Sequence, residues 1–335
     1  MTDPGDATRF HQAALEYEAD VLFGTHALLS GRLFCGSPVP YVLAFGGTDL
    51  NDHVHDQETL DVMAGAVTGA AALVAFTQDF MARCGRLWPQ VLDRLHHIPQ
   101  GVWTDPARHF SLRHLLGLSS QDRILLLPSG LRPVKDPLLL VDAVQRWHRE
   151  DARVHLVIVG HSYDPSFERV VRRRCAVALG VHYVGALSPR QVHAAMAEAT
   201  MVLNTSLGEC SPNALLEAMS LGAAVLVRDI PGNTCVVRHE ETGLVFTDPD
   251  DFLRQARRLC DDEALRLRLG GAARVQVEAR HGMAGERDAY GAILADLARR
   301  TSSSAGDRVS LPGAVVVPAV NLAGTPDRVA TGAAR

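Results

Sequence analysis

The chain has 335 residues, of which 47% are hydrophobic and 21% charged, enough for one large or two ordinary globular domains. Its formal net charge of -5 gives no general electrostatic reason to bind nucleic acid or an acidic membrane surface. No apolar stretch is long enough to span a bilayer, and the N-terminus, MTDPGDATRF, lacks the regions of a signal peptide. We therefore predict a soluble, cytoplasmic protein with no transmembrane segment and no nucleic-acid partner. A secreted protein is the alternative if the full-length form carries an N-terminal signal.

The cysteines and histidines do not indicate a metal site. The six cysteines are scattered, without a C-x-x-C pair or the spacing of metal ligands. The histidine pair in HVH, at 53–55, has no third ligand at a useful spacing. The DPD segment at 248–250 resembles a metal-binding D-x-D, but its Pro-containing loop favours a helix cap. We therefore expect no metal.

The first half of the chain begins with a polar segment and a helix, and its first strand is expected within residues 19–26. Further strands are predicted within 39–45, 72–77 and 95–101, with helices between them. A complete doubly wound domain would open with a strand, a Gly-rich turn and a helix. The N-terminal domain, residues 1–110, is therefore predicted to be Rossmann-like but truncated.

In the second half, apolar runs such as RILLLPSG, VHLVIVG and TMVLNTS alternate with helical patterns. Continuous apolar strands between helices indicate a parallel sheet covered on both faces. Residues 120–280 are thus predicted to form a doubly wound α/β domain, and two such domains would form a ligand-binding cleft. A helix at 281–300 is expected to pack back toward the first domain, followed by a disordered tail at 301–335 that is rich in Ser, Gly, Ala and Pro.

The segment GECSPNALLEAM, residues 208–219, combines a helix start with two glutamates. Ser211 suits the N-cap, Pro212 the first helical position and Gly222 the helix end. Such a helix start favours phosphate binding. Glu217 lies among apolar residues, where an ionised carboxylate needs partners, and a ribose offers two hydroxyl donors. On these grounds alone Glu217 is either a ribose ligand or a surface glutamate, and Glu209 stays unassigned.

Two further loops could contact a ligand. In PSGLRPVKDP, residues 128–137, Arg132 and Lys135 could neutralise a diphosphate, and Lys135 is expected to open the following helix. In FGGTDLND, residues 45–52, the two glycines allow close approach of the backbone to a ligand. Thr48 or Asp49 could then touch a substrate hydroxyl, although ordinary turn chemistry also explains this segment.

Together these segments resemble the retaining glycosyltransferases of family 4, which have the GT-B fold of two facing Rossmann-like domains. The spacing of Glu209 and Glu217 matches the E-x7-E motif of that family. The resemblance also rests on LRPVKDPLLLVDA, VHLVIVG, VHYVGALS, DIPGNTCVVRHEETGLVF and IPQGV, which follow in the family's order over roughly residues 95–290.

The resemblance implies transfer of a sugar from a nucleotide-diphosphate-sugar donor to an unknown acceptor, with retention and without a metal or other cofactor. Glu217 would bind the donor ribose and Glu209 the sugar hydroxyls, while Lys135 and Arg132 would stabilise the diphosphate. The leaving phosphate would act as the base. Further residues are implied in the donor site (Ser211, Asn213, Cys210, Gly130) and on the acceptor side of the cleft (Gly46, Gly47, Thr48, Asp49).

The chain departs from the family pattern in three places. The usual arginine, five positions before the lysine, falls on Gly130, so Arg132 must replace it. The glycine that usually follows the first glutamate is Cys210, whose Cβ could crowd a backbone approaching the donor. The opening strand and Gly-rich loop that the family has in its first domain are also expected to be absent.

Two other functions are compatible with these residues. A catalytically impaired nucleotide-sugar-binding protein or scaffold, lacking the N-terminal loop, is the main alternative. A nucleotide-sugar epimerase would share the fold, but the paired acids and histidine that its chemistry needs are not evident in the sequence.

Overall fold

The structure is a computed structural model that describes residues 4–162, 164–304 and 315–316. Two parallel sheets, each flanked by helices, form two α/β domains. The first domain contains, in chain order, α1 (Pro4–Glu16), β1 (Leu22–Thr25), α2 (Gly31–Phe34), β2 (Tyr41–Ala44), α3 (Gly47–Asn51), α4 (Gln57–Gly69), β3 (Ala72–Ala75), α5 (Gln78–Leu87) and β4 (Leu95–His97). The predicted α/β class with parallel sheets is confirmed.

The chain then passes from β4 of the first domain to the second domain. Its elements are α6 (Leu112–Leu116), β5 (Arg123–Pro128), α7 (Val141–Glu150), β6 (Val154–Val159), α8 (Pro165–Val177), β7 (Val181–Gly185), α9 (Pro189–Glu198), β8 (Met201–Asn204), α10 (Asn213–Ser220), β9 (Val225–Arg228), α11 (Pro231–Thr234), β10 (Leu244–Phe246), α12 (Pro249–Asp261) and α13 (Glu263–Arg280). All six residues of β6 are buried, as expected for a central strand covered on both faces.

The order of the strands determines where the loops at the carboxyl ends of the second sheet lie. The first sheet runs β1-β2-β3-β4, and the second runs β10-β9-β8-β5-β6-β7. After β5 the chain builds one half of the second sheet through β6 and β7, and then crosses to β8 on the other side of β5. The loops after β5 and β8 therefore diverge at a topological switch point, where open α/β sheets commonly bind ligands.

The end of the chain returns to the first domain. The helix α14 (Met283–Ser304) packs Ile293 and Leu297 against Val42 and Val74, which lie on β2 and β3. A short strand, β11 (Val315–Val316), then pairs in parallel with β1 at the edge of the first sheet.

The last segment differs in part from the prediction of a disordered tail from residue 301. The helix α14 continues through Ser304, and residues 315–316 form β11 because β1 offers an open sheet edge. The remainder of that predicted tail lies outside the described residues.

Two predicted helix caps can be compared with the structure. Asp248 caps α12, since its carboxylate accepts hydrogen bonds from the backbone N–H groups of Asp250 and Asp251. The cap predicted at Ser211 is wrong. The helix α10 begins two residues later, and the Ser211 hydroxyl donates instead to Asn213 Oδ1, at 3.1 Å.

Replacing Asp248 with alanine is expected to lower the free energy of unfolding by about 1 kcal/mol, because two N–H groups at the start of α12 lose their acceptor. Urea denaturation of the two proteins measures this difference. Asp250→Ala is the matched control, because the Asp250 side chain is exposed and does not cap the helix. Equal stability of the Asp248→Ala variant and the wild type would contradict the capping role.

Candidate active site

A cavity of about 550 Å³ lies where the carboxyl ends of the two sheets meet. The second domain contributes the loops after β5 and β8 and the first turn of α10. The first domain contributes the end of β1, the loop after β2 and the start of α3. The site is therefore built at the switch point of the second sheet and closed by the first domain.

Lys135 and Glu209 form the main charged pair of this cavity. Lys135 Nζ lies 2.6 Å and 2.7 Å from the two carboxylate oxygens of Glu209. Their side chains are only 18% and 8% exposed, so each charge is largely removed from water and depends on the other. Asn204 Nδ2 and Ser206 Oγ also donate to Glu209, at 3.1 Å and 2.6 Å.

The backbone around these two residues fixes their positions. Lys135 ends a short 3-10 helix, Pro133–Lys135, rather than opening α7 as predicted, and its carbonyl accepts a hydrogen bond from Thr205 Oγ1 at 2.8 Å. Gly232, in α11, lies directly against Glu209. A Cβ added at Gly232 would lie 2.6 Å from Glu209 Cβ, so only glycine fits there.

The residues predicted in the donor site are mostly at the cavity. Seven of them line it: Glu209, Lys135, Arg132, Ser211, Asn213, Cys210 and Gly130. Arg132 is exposed and lies three residues before the partly buried Lys135, and Gly130 stands where the family pattern has an arginine.

Cys210 connects the two domains. Its side chain belongs to the apolar core of the first domain, and a Cβ added at Gly47 would lie 3.4 Å from Cys210 Cβ. Burial raises the pKa of the Cys210 thiol well above its usual range, and Asp49 and Cys84 raise it further. The crowding expected from Cys210 is therefore directed toward the core of the first domain, where Gly47 provides the space.

Glu217 lies outside the cavity lining, one helical turn beyond Asn213 and Ala214, which do line it. Its Oε2 is 3.6 Å from Nε2 of the buried His193. His193 Nδ1 accepts a hydrogen bond from the backbone N–H of Asp105 at 3.0 Å, so the ring proton is on Nε2 and faces Glu217. Burial raises the pKa of Glu217, and His193 opposes this shift.

The predicted acceptor-side residues divide into two groups. Gly46, Gly47 and Thr48 line the cavity. Asp49 does not, because its fully buried carboxylate is turned into the first domain, where it accepts hydrogen bonds from the backbone N–H groups of Ala27, Leu28 and Gly46.

Sequence reasoning missed several polar residues at the site. Asn204 ends the apolar strand β8 and Ser206 lies just after it, and polar residues at the end of such a strand would have been a usable signal. His26 was also missed; its ring contacts both Thr48 and Asp49.

The part of the chain that the structure describes has neither a cluster of metal-binding side chains nor a membrane-spanning helix. Among residues 4–162, 164–304 and 315–316, no three His, Cys, Asp or Glu side chains are grouped so as to hold a metal ion. In the same ranges, no helix is long and apolar enough to cross a membrane.

The chain is similar to solved glycosyltransferase structures over most of its length. Sucrose-phosphate synthase from Thermosynechococcus elongatus superimposes with a TM-score of 0.73 at 20% identity, covering 90% of this chain and 78% of that one. Anabaena Alr3699/HepE, solved in complex with UDP-glucose, gives a TM-score of 0.71 at 18% identity, covering 89% and 82%. At these identities the likeness shows the fold alone, and it confirms the predicted GT-B architecture.

Sequence comparison identifies the family. The model of "Glycosyl transferases group 1" matches residues 122–262. Glycosyltransferase 1 domain-containing protein 1 of Xenopus tropicalis is 34% identical over 274 residues, which cover 80% of this chain and 79% of that protein. The variant motifs FGGTDLND and GLRPVKDP predict a likeness to this protein in particular, and the match confirms it. D-inositol 3-phosphate glycosyltransferase of Jonesia denitrificans is 26% identical over 62% of this chain and 53% of its own length. The chain therefore belongs to the group 1 glycosyltransferases.

Proposed function

We propose that this glycosyltransferase moves a sugar from a nucleotide-diphosphate-sugar donor to a hydroxyl group of an acceptor, with retention of anomeric configuration. The observation that carries the proposal is the Lys135–Glu209 pair, which is largely buried and lines the cavity at the switch point. A buried ion pair contributes little net stability, so its place in a ligand cavity favours a role in binding and chemistry.

The donor diphosphate would lie between Lys135 and the start of α10. The first turn of that helix faces the cavity, and the positive end of the helix dipole favours an anion there. Lys135 and the exposed Arg132 would neutralise the charge that develops on the departing diphosphate. In the structure Lys135 donates hydrogen bonds to Glu209. Once a diphosphate engages Lys135, the carboxylate of Glu209 becomes an acceptor for sugar hydroxyls.

The nucleoside would extend along α10 toward Glu217. Glu217 lies one turn beyond the cavity lining, on the same face of the helix as Asn213 and Ala214. There its partly buried carboxylate could accept both ribose hydroxyls. The structure of Anabaena Alr3699/HepE in complex with UDP, at 18% identity and a TM-score of 0.70, supports UDP as the first nucleotide to test. The acceptor would enter from the first domain, beside Gly46, Gly47 and Thr48.

Replacing Glu217 with glutamine is expected to weaken UDP binding by about ten- to a hundred-fold, because hydrogen bonds from ribose to a charged acceptor are lost. Isothermal calorimetry of both proteins with UDP and 2′-deoxy-UDP measures the effect. If Glu217 binds the ribose, the variant loses less affinity for the deoxy ligand than for UDP.

Glu198→Gln is the matched control for this measurement. Glu198 is 23% exposed, compared with 31% for Glu217, and it accepts hydrogen bonds from Ser111 and Leu112 at the start of α6, outside the cavity. Its replacement should leave UDP affinity unchanged. Equal losses of affinity for UDP and 2′-deoxy-UDP in Glu217→Gln would remove the ribose role.

Turnover tests the function itself. We expect the purified chain to release nucleoside diphosphate from at least one sugar among UDP-, GDP- and ADP-linked donors. The anomeric coupling of the product sugar, observed by proton NMR during the reaction, should match that of the donor. UDP binding without turnover of any donor would favour the non-catalytic binder instead, and an inverted product would refute retention.

A further inference from the structure

Asn233 is a fully buried residue that lies beside the candidate active site without lining its cavity. It belongs to α11 and follows Gly232, which packs directly against Glu209. Its Nδ2 donates hydrogen bonds to Asn204 Oδ1, at 3.2 Å, and to the backbone oxygen of Arg228, at 3.0 Å. Its Oδ1 is buried and has no hydrogen-bond partner among the described residues. A buried polar atom without a partner lowers stability, so packing alone does not account for an amide at this position.

The hydrogen bonds of Asn204 fix the orientation of its amide. Its Oδ1 accepts from Asn233 Nδ2 and from the backbone N–H of Ser206, the latter at 2.9 Å. Its Nδ2 therefore faces Glu209 and donates to Oε1 at 3.1 Å. In the flipped orientation Nδ2 would face two donors and Oδ1 would face the carboxylate, so all of these contacts would become unfavourable. Asn233 and the backbone of Ser206 thus determine which atom Asn204 presents to Glu209.

The two carboxylate oxygens of Glu209 have different surroundings. Oε1 accepts from Asn204 Nδ2, from Ser206 Oγ at 2.6 Å and from Lys135 Nζ at 2.6 Å. Within the described part of the chain, Oε2 accepts from Lys135 alone, at 2.7 Å. If Lys135 turns to a bound diphosphate, Oε1 keeps two donors while Oε2 loses its one donor. The carboxylate is thus anchored through Oε1, and Oε2 is the oxygen that a ligand can take.

We propose that Asn233 is a positioning residue for the donor sugar: through Asn204 it anchors Oε1 of Glu209, so that Oε2 accepts a hydrogen bond from a hydroxyl of that sugar. The inference rests on the proposed function, in which a diphosphate engages Lys135. Asn233 does not line the cavity, so it acts only through Asn204.

Anchoring one oxygen prepares the carboxylate of Glu209 before the sugar binds. The last side-chain torsion of a glutamate is broad, so a carboxylate without partners samples many orientations. Holding Oε1 removes that freedom in advance, and a preorganised acceptor loses less entropy when a ligand arrives. This role also accounts for the buried amide of Asn233, because an apolar side chain there could fill the space but could not hold Asn204.

Asn233→Leu tests the proposal through the binding of UDP and of UDP-glucose, or of the first nucleotide sugar that the wild type binds and its nucleoside diphosphate. Leucine keeps the branching of asparagine but cannot donate to Asn204. Calorimetry should show unchanged affinity for UDP, which has no sugar, and a loss of about tenfold in affinity for UDP-glucose. The rate of UDP release from UDP-glucose should fall by about tenfold to a hundredfold. A general disturbance of the site would weaken the binding of UDP as well.

A double-mutant cycle separates an action through Asn204 from a merely structural role of Asn233. Asn204→Leu should slow turnover at least as much as Asn233→Leu, because it removes the donor to Oε1 itself. The double variant should be no slower than Asn204→Leu, since Asn233 then has nothing left to position. If the two residues acted independently, their effects on the rate would multiply.

Lys135 provides a measurement that needs no ligand. It is the only lysine in the sequence, so protein labelled with nitrogen-15 at the lysine side chain has one such ammonium group to observe by NMR. Asn233→Leu should shift this signal, because the carboxylate that Lys135 contacts is no longer held in place.

Gln276→Leu is the matched control for Asn233→Leu. Gln276 is also an amide with a buried oxygen that has no partner in the described ranges, and its Nε2 donates to the backbone oxygen of Val236 at 2.6 Å, outside the cavity. Its replacement should leave the Lys135 signal, the affinity for UDP-glucose and turnover unchanged.

Three results would overturn the inference. The first is an unchanged Lys135 signal in Asn233→Leu. The second is an equal loss of affinity for UDP and UDP-glucose in that variant, and the third is multiplication of the two rate effects in the double variant. A wild type that binds no nucleotide sugar would refute the proposed function and with it the role of Oε2. The Lys135 signal would still decide whether Asn233 positions Glu209.

Discussion

Replacing Lys135 with methionine is expected to lower the rate of nucleoside diphosphate release by about 10²- to 10³-fold, because a cation aimed at the leaving diphosphate is lost. The stem of the side chain is kept, so the packing of the loop after β5 changes little. Glu209→Gln should also slow turnover, since it removes the charge from the proposed acceptor of sugar hydroxyls. Steady-state kinetics with the best donor, together with UDP calorimetry, measure both variants.

Measuring the unfolding free energy of these variants separates a structural role of the Lys135–Glu209 pair from a catalytic one. Lys135→Met leaves the carboxylate of Glu209, only 8% exposed, without its cation, which is expected to cost about 3–5 kcal/mol of unfolding free energy. The double variant with Glu209→Gln removes both charges and should regain most of that stability. It should stay as slow as the single variants, because neither charge is present to act on the donor.

Arg123→Met is the matched control for this series. Arg123 makes an ion pair with Asp151, in which the side chains are 23% and 21% exposed, at the opposite end of β5 from the cavity. Its replacement should reduce stability and leave turnover unchanged. If the double variant recovered turnover along with stability, the Lys135–Glu209 pair would be structural and the proposed roles would be wrong.

Gly232→Ala is expected to lower turnover by about 10²-fold, although Gly232 itself does not line the cavity. The new methyl group would overlap the backbone oxygen of Glu209 and lie 2.6 Å from its Cβ, so the loop carrying Glu209 must move. Overpacking of this kind costs about 1–3 kcal/mol of stability. Donor kinetics and thermal denaturation measure the two effects.

Gly271→Ala is the matched control for Gly232→Ala. Gly271 lies in α13, and a Cβ added there meets no atom within 4 Å. This variant should gain about 0.5–1 kcal/mol of stability, because alanine is favoured over glycine within a helix, and it should keep wild-type kinetics. Wild-type turnover in Gly232→Ala would show that the close packing of α11 does not determine the position of Glu209.

The donor side of the site was predictable because its signals are local. The carboxyl ends of β5 and β8 are marked by apolar runs followed by polar loops, and parallel-sheet geometry brings such loops together. The Lys135 loop and the start of α10 could be assigned to one site on that basis, whereas the role of Glu209 was implied only by the family resemblance. The short strand β10 was not predicted, because three residues carry little periodicity.

The acceptor side could not be predicted to the same degree. The sequence offers Thr48 and Asp49 as equivalent polar residues in one turn, but the backbone of α3 directs one toward the cavity and the other into the core. His26 contacts both of them and has a positive φ that no sequence pattern predicts.

The position of the α10 cap was also misjudged, since Ser211 and Asn213 are both good capping residues and Pro212 separates them.

The return of α14 to the first domain has a consequence for synthesis of the chain. Val42 and Val74 emerge from the ribosome early, but Ile293 and Leu297, which cover them, emerge near the end. Until then this apolar face of the first sheet is exposed, while the second domain can complete its own core. The first domain should therefore reach its native protection last, and a nascent chain that stops before α14 should be prone to chaperone binding and proteolysis.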